Sequence, residues 1–308
     1  MSDARYVAAA SISLALVVAS GCASSSDRTS GSGVPSPTPR STAATSGGPA
    51  EVTSARDYDP SAFGNATVVD NAYFPMAPGT RWTWEGHAID DGERIGRRVV
   101  FTVTDMIKVI DGVPTVVALD VDYNDDERAE QELAFFAQDD GGNVWHFGQY
   151  PEEYEGDEIV KTPTWIHGYE GALAGLAMKA HPSLDAPSYA QGWGPKIGWN
   201  DRAEVFAMGE QTCTPVDCYE DVLIMREFGR DEPGASQLKY YAPGVGGVRI
   251  GWMGPNEEEQ EEMVLVRFER LSAEELEEVR ATVLAQEERA YELSDVYGNT
   301  APIELSAP

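Results

Sequence analysis

Cysteine and histidine are scarce in this chain of 308 residues, which has three Cys and four His. A structural zinc site needs four ligands, and no histidine lies near Cys213 and Cys218 in the sequence, so this pair does not predict a zinc site. The histidines show neither the HExxH spacing of metalloproteases nor a serine in a nucleophile elbow. The sequence therefore predicts no metal, no cofactor and no catalytic residue.

Basic residues are also few. The chain has 22 Lys and Arg against 52 Asp and Glu, which gives a formal net charge of −30. Such a charge repels phosphate backbones and anionic lipid headgroups. The composition excludes nucleic acid as a partner, and it excludes a basic face that docks on a membrane.

Long apolar runs are absent except at residues 7–20, a run of 14. This run is too short to span a bilayer, but it has the length of the apolar region of a signal peptide. It ends in Ala19-Ser20-Gly21-Cys22, which resembles the lipobox of bacterial lipoproteins although Ala19 stands where Leu is usual. We predict a lipoprotein signal peptide at residues 1–21 and lipidation of Cys22. Cleavage after Gly21 without a lipid is the alternative.

The odd number of cysteines supports the lipid anchor. Cys213 and Cys218 flank a short turn that contains Pro, and in an oxidising compartment this spacing favours a disulfide bond. Cys22 is then left unpaired, and lipidation would account for it. The predicted location is the extracytoplasmic face of the cell membrane, with the lipid at Cys22 as the anchor.

The chain divides into a tether and a folded part. Residues 22–56 are rich in Ser, Thr, Gly and Pro and have almost no large apolar side chains. Such a segment cannot bury enough surface to order itself, so it is predicted to be a disordered tether behind the lipidated cysteine. Residues 57–270 are predicted to form one antiparallel β domain, and residues 271–308 a C-terminal helix and tail.

Short alternating segments joined by turns dominate the predicted domain. Residues 80–84 place two tryptophans on one face, residues 97–105 alternate in the same way, and Asp111-Gly112 is a typical hairpin turn. Residues 272–275 form a capping box, after which apolar residues recur at helical spacing to about residue 293. The predicted fold is mainly β: an antiparallel meander forming a curved sheet, sandwich or half-barrel, with one C-terminal amphipathic helix.

Two segments carry a resemblance to a known family. Residues 71–82 (NAYFPMAPGTRW) and 239–246 (KYYAPGVG) resemble the hallmark segments of a group of uncharacterised, mostly actinobacterial lipoproteins and secreted proteins. The resemblance extends over about residues 65–268. It implies a curved antiparallel sheet or sandwich, and it implies no activity and no site residue.

The aromatic residues are the best candidates for a binding site. Trp165, Trp193 and Trp199 lie in or beside residues 168–198, a Gly- and Ala-rich stretch predicted to be loop with at most a short helix at residues 173–178. A curved sheet with an aromatic concave face can hold a lipid, a glycan or a small hydrophobe. These three tryptophans are therefore predicted to bind a ligand. Packing in the core is the alternative.

Two acidic segments are predicted to be turns rather than sites. Residues 120–125 begin like a calcium loop, but Asp125 stands where that loop needs Gly and Gln131 where it needs Glu, so a hairpin turn is predicted. The acidic run at residues 257–262 is predicted to be a solvated turn.

These observations predict a cell-envelope lipoprotein that binds an apolar or glycan ligand without catalysis. Two alternatives stay open. One is a hydrolase of envelope polymers with a dispersed carboxylate site, and the other is a scaffold that binds another envelope protein.

Overall fold

The computed structural model describes residues 58–306. The predicted signal peptide, lipidated Cys22 and tether lie outside these residues. The described part begins with a 3-10 turn at Pro60–Ala62 and continues into a sheet of 16 strands. The strands are β1 (Thr80–Asp90), β2 (Glu93–Ile110), β3 (Val113–Asn124), β4 (Glu127–Gln138), β5 (Val144–Glu155), β6 (Glu158–Lys161), β7 (Trp165–Ile166), β8 (Leu173–Met178), β9 (Tyr189–Ala190), β10 (Gly192–Trp193), β11 (Arg202–Cys213), β12 (Cys218–Phe228), β13 (Ser236–Ala242), β14 (Gly246–Met253), β15 (Glu262–Arg270) and β16 (Glu304–Leu305).

The long strands pair in sequence order, which confirms the antiparallel meander. Around the sheet the order is β10-β8-β5-β4-β3-β2-β1-β15-β14-β13-β12-β11-β9. Two features bend this meander into a ring. The first long strand, β1, pairs with the last, β15, and the terminal strands β9 and β10 are separated in the chain only by Gln191. The result is a nearly closed, barrel-like sheet, in which few backbone groups are left at an open edge.

The segment from Tyr189 to Trp193 forms the seam of this ring. Tyr189 and Ala190 pair with β11 on one side, and Gly192 and Trp193 pair with β8 on the other. The short helix considered for residues 173–178 is wrong, because these residues form β8. Their Leu, Ala and Met favour a helix locally, but pairing with β5 and β10 determines the conformation.

Several turns and the C-terminal helix follow the sequence prediction. Asp111 and Gly112 both have positive φ, at 50° and 78°, as a tight two-residue hairpin turn requires. Helix α1 (Ala273–Leu293) is capped by Ser272, whose side chain accepts a hydrogen bond from the Glu275 amide, and the Glu275 side chain accepts one from the Ser272 amide. This is the predicted capping box.

Helix α1 packs on the outer face of the sheet through buried polar contacts. Gln286 Nε2 donates to the backbone oxygen of Gln131 at 2.7 Å, and Arg289 Nη2 lies 2.7 Å from a Glu152 carboxylate oxygen. Lys108 is fully buried beneath the helix, with its Nζ 3.2 Å from Glu287. After the helix, β16 pairs with β2, so the C-terminal segment is bound to the same sheet. No helix in residues 58–306 has the length and apolarity needed to cross a bilayer.

The segment before β1 covers one end of the ring. The backbone amide of Gln138 donates to Ala66 O at 2.9 Å, and Asn71 Nδ2 donates to Gly142 O at 2.9 Å. Further along, the Phe74 ring packs against the Phe136 and Tyr241 rings at centroid distances of 5.6 and 6.2 Å. This end of the interior is therefore filled by residues that precede the sheet.

Closure at the seam depends on Gly175, because the backbone of the closing segment lies directly above it. A Cβ at Gly175 would lie 2.3 Å from the backbone nitrogen of Gly192, closer than real Cβ contacts. We predict that Gly175→Ala lowers the free energy of unfolding by about 1–3 kcal/mol, because the seam must move apart. Chemical denaturation measures this. The control is Gly251→Ala in β14, where the nearest atom, in the Tyr240 ring, lies at an ordinary 3.8 Å. Equal stability of the two variants would contradict the role given to the seam.

Candidate functional site

The two segments singled out by their family resemblance meet in space. The indole nitrogen of Trp82 donates to Val245 O at 2.8 Å, and the Gly244 amide donates to Ala72 O at 2.7 Å. Two residues further along β1, the indole nitrogen of Trp84 donates to Gly247 O at 3.2 Å. These hydrogen bonds hold the polar edge of each indole, so its apolar face is free to pack or to line a cavity.

A pocket lies at this junction. The empty space in the pocket and above its mouth is about 490 Å³, which includes open solvent. The side chains around it come mostly from the two segments and from the facing strands, and most are aromatic or aliphatic. Its lining is Phe74, Pro75, Met76, Trp82, Trp84, Phe101, Lys239, Tyr241, Gly246, Gly247, Arg249 and Ile250.

Burial distinguishes the floor of the pocket from its mouth. Trp82, Trp84, Phe101 and Ile250 are at most 5% exposed, so they form the floor. Phe74, Pro75, Gly247 and Arg249 are half-buried and surround the mouth. An enclosed aromatic floor reached through a partly exposed rim is the usual form of a site for a small apolar ligand.

The pocket shares rows of the sheet with buried carboxyl groups. Cross-strand pairing places Trp82, Phe101, Asp120 and Glu132 in one row across β1 to β4. The next row contains Trp84, Val99, Asp122 and Glu130 in the same order. Side chains of residues paired across strands lie on the same face of the sheet. Each row therefore continues from the aromatic pocket on β1 and β2 into an acidic region on β3 and β4.

This acidic region is buried, and the cations Arg97 and Lys239 lie within it. Among residues 58–306, Arg97 contacts Asp122 at 3.2 Å and Glu261 at 3.0 Å, and Lys239 Nζ lies 4.0 Å from Glu227. The prediction of a solvated acidic turn is therefore wrong for Glu261, which is 1% exposed. The buried carboxyl groups on the inner side of the sheet are Asp120, Asp122, Glu130, Glu132, Glu227 and Glu261, while Glu152 and Glu287 are buried at helix α1.

Burial shifts these acids toward their neutral form. Desolvation is the largest influence on Asp122 and raises its pKa to about 7, although Arg97 acts to lower it. Desolvation also raises the pKa of Glu259 to about 8. The pKa of Asp120 is raised well above its ordinary value by burial and by the neighbouring Asp122 and Glu130. At neutral pH several groups in the interior therefore keep a proton.

The predicted ligand-binding tryptophans lie away from this pocket. Trp165 and Trp199 are 2% and 1% exposed and stack on each other at a centroid distance of 4.3 Å. A Cβ at Gly192 would lie 2.0 Å from the Trp199 ring, so both rings pack tightly against the seam. Trp193 is half-buried in β10. Their role in binding stays a prediction, while the pocket is formed by Trp82 and Trp84.

The remaining candidate residues have structural positions. Cys213 and Cys218 form the predicted disulfide, at the tip of the β11–β12 hairpin. His146 is buried against Phe136 and Trp165, and desolvation lowers its pKa to about 3, so it is neutral. Asp120 and Asp122 lie within β3, and residues 58–306 contain no cluster of His, Cys, Asp or Glu that could hold a metal ion.

Two solved structures are similar to this chain. One is a protein from Bacteroides fragilis described as exported and as having a YmcC-like fold. It is 18% identical, with a TM-score of 0.38, and the match covers 65% of this chain and 100% of that one. The other is described as a lipoprotein from Parabacteroides distasonis. It is 13% identical, with a TM-score of 0.35 and the same coverage. No protein-family model and no curated protein matches the chain. What this chain binds must therefore be inferred from its own residues.

The buried acids predict how stability depends on pH. A carboxyl group whose pKa is raised by folding holds its proton in the folded state after the unfolded chain has lost it. Stability is then lost as pH rises through the folded pKa. Between pH 6.5 and 8 the free energy of unfolding should fall, by up to about 1.4 kcal/mol per pH unit for each such group. His146, whose pKa burial lowers to about 3, and Lys108, whose pKa burial lowers to about 8, oppose this fall only at the lower and upper ends of the window.

Thermal unfolding across this pH range measures the effect. Asp122→Asn and Glu259→Gln should each reduce the slope, because each removes one titrating group. Asp126→Asn is the matched control, since the Asp126 side chain is 91% exposed. A stability that is constant or rises between pH 6.5 and 8 would contradict the proposed protonation of the interior.

Proposed function

We propose that this chain is a cell-envelope lipoprotein whose barrel-like domain binds a small apolar ligand without catalysis. The ligand enters between Phe74 and Arg249 and rests against Trp82, Trp84 and Phe101. The aromatic pocket at the junction of the two family-like segments is the observation that carries this proposal.

The arrangement of the pocket supports binding rather than simple packing. The segment before β1 fills one end of the sheet interior but leaves the space beside Trp84 and Ile250 open. Both indole nitrogens are already hydrogen-bonded to backbone, so an apolar group can occupy this space without leaving a polar atom unpaired. A protein that needed only a stable core would gain by filling the same space with larger side chains.

The envelope location rests on the sequence of residues 1–56. The apolar run, the lipobox-like Cys22 and the Ser-, Thr-, Gly- and Pro-rich segment behind it are the supporting features. The disulfide at Cys213–Cys218 suits an oxidising compartment. A lipid is the simplest membrane anchor for a chain with a net charge of −30.

Polymer hydrolysis is less well supported than binding. Hydrolysis of a glycan needs two carboxyl groups that reach the polymer together. The clustered carboxyl groups Asp120, Asp122 and Glu130 are at most 6% exposed. Because they are buried, a long polymer outside the sheet cannot reach them together.

A pocket-filling substitution tests ligand binding. Ile250→Phe adds an aromatic ring to the floor of the pocket and should weaken binding of the neutral fluorescent probe N-phenyl-1-naphthylamine about tenfold or more, measured by fluorescence titration. Ile224→Phe is the matched control, because Ile224 is buried in a separate cluster with Val222 and Leu238. Equal probe affinity in both variants, with both folded, would contradict the assignment of the pocket.

The anchor is tested separately. Cys22→Ser should release the protein from the membrane of its host into the surrounding aqueous fraction, because the hydroxyl cannot form the thioether to diacylglycerol. Detergent-phase partitioning measures this, and Ser24→Ala in the same segment is the control. Continued partitioning of the Cys22→Ser protein into detergent would contradict lipidation at this residue.

A further inference from the structure

Several buried polar atoms beside the pocket have no hydrogen-bond partner within the described part of the chain. Asp120 is 1% exposed, and neither of its carboxylate oxygens makes a hydrogen bond of acceptable geometry. The Val121 amide interacts with this carboxyl group, but it is the weakest of the influences on the pKa of Asp120. The hydroxyl of Tyr189, which is 4% exposed, is likewise unpaired. Such groups are rare in native interiors, because each one loses its hydrogen bonds to water on burial.

Both unpaired groups are related to the pocket through Lys239 and its ion-pair partner Glu227. Asp120 is the direct cross-strand neighbour of Phe101, which forms part of the pocket floor. Side chains paired in this way lie about 5 Å apart at their Cβ atoms. Asp120 also interacts electrostatically with Lys239, which lines the pocket. Tyr189 interacts with Glu227, the ion-pair partner of Lys239.

Lys239 thus joins the apolar pocket to the polar interior. Its side chain contributes to the pocket lining, and its ammonium group lies 4.0 Å from Glu227, longer than a close ion pair. Burial raises the pKa values of Asp120, Asp122 and Asp201, and the charge of Lys239 acts to lower them. A molecule whose apolar part fills the aromatic floor would bring its other end to this lysine and to Asp120.

The charged side chains in this region determine which polar group the ligand can carry at that end. In the buried region carboxyl groups outnumber the cations Arg97 and Lys239, and Arg97 is already paired with Asp122 and Glu261. A third cation, Arg249, lies at the half-buried mouth of the pocket. A carboxylate or phosphate on the ligand would meet this acidic surrounding in a medium of low dielectric constant. Even when Asp120 holds a proton on one oxygen, its other oxygen still needs a donor, and the protonated oxygen needs an acceptor. A hydroxyl or an amine provides the donor, and the hydroxyl can also accept from Lys239.

We propose that the ligand of this pocket is an amphiphile: an apolar body packs against Trp82, Trp84 and Phe101, and a hydrogen-bond-donating hydroxyl or amine head binds Asp120, beside Lys239 and Tyr189. This inference rests on the proposed function of the pocket and adds the class of ligand. In this proposal the unpaired groups Asp120 and Tyr189 bind the polar head of the ligand.

Four probes with one alkyl chain test this proposal. They are 1-octanol, octyl methyl ether, octylamine and octanoate, titrated into the full chain carrying Cys22→Ser. The ether keeps the oxygen of octanol but lacks the donor. We expect octanol to bind about tenfold more tightly than the ether, and octanoate to bind most weakly. Comparing octylamine with octanol shows whether the preferred donor is cationic or neutral, because either result fits a donating head.

Two variants locate the effect. Asp120→Val removes both unpaired oxygens and introduces a β-branched side chain, which suits a strand, so the variant should fold at least as stably. It should reduce the preference for octanol over the ether to less than twofold while leaving ether affinity unchanged. Tyr189→Phe should reduce the preference in part, and Asp126→Asn on the surface should leave it intact.

The outcomes separate the two proposals. Equal affinity of the native sequence for octanol and the ether, or octanoate binding as tightly as octanol, would overturn the donating head and leave the apolar pocket standing. Failure of all four probes to bind would overturn the proposed function itself. A preference that persists in folded Asp120→Val would overturn the assignment of the head to this residue.

Discussion

The pairing of β1 with β15 is the constraint on which the rest of the structure depends. It joins residues 80–87 to residues 262–270, which are far apart in the sequence, and turns an extended meander into a ring. The seam at Tyr189–Trp193 completes the ring on the opposite side. Only after this closure do the inner faces of the strands share one enclosed space, in which apolar and charged side chains lose their contact with water.

Within that space, the same rows of the sheet contain aromatic residues on one side and carboxyl groups on the other. A fully apolar interior would be simpler to stabilise, since burying a carboxyl group without a partner costs several kcal/mol. The interior lowers this cost through the ion pair of Arg97 with Glu261 and through protonation of acids such as Glu259. Asp120 has neither an ion pair at close distance nor a hydrogen bond, and this residual cost is what a ligand would offset.

The local features of the fold were predictable from the sequence. The two tryptophans of residues 80–84, the Asp111-Gly112 turn, the capping box of helix α1 and the Cys213–Cys218 disulfide each depend on residues close together in the chain. Long-range pairing was not predictable in this way. The alternation of β1 predicts a buried face, but it does not indicate which strand or ligand covers that face.

The candidate site shows the same limit. Trp165 and Trp199 were plausible binding residues because their surroundings resemble loop, yet both pack against Gly192 at the seam. The better signal was the pair of family-like segments, because residues 71–82 and 239–246 supply much of the pocket lining. The buried acids could not be predicted from the sequence. In a chain with 52 acidic residues, no local pattern distinguishes Asp120 from acids on the surface.

The central claim is that a small amphiphile binds inside the ring beside Trp82 and Trp84. The most direct measurement is a crystal structure of the protein soaked with 8-bromo-1-octanol, with bromine located by its anomalous scattering. The account predicts a bromine peak against the faces of these two indoles, with the hydroxyl oxygen directed toward Asp120. A peak at Trp193, on the outer face near Ile224, or nowhere within the sheet at saturating probe would contradict it.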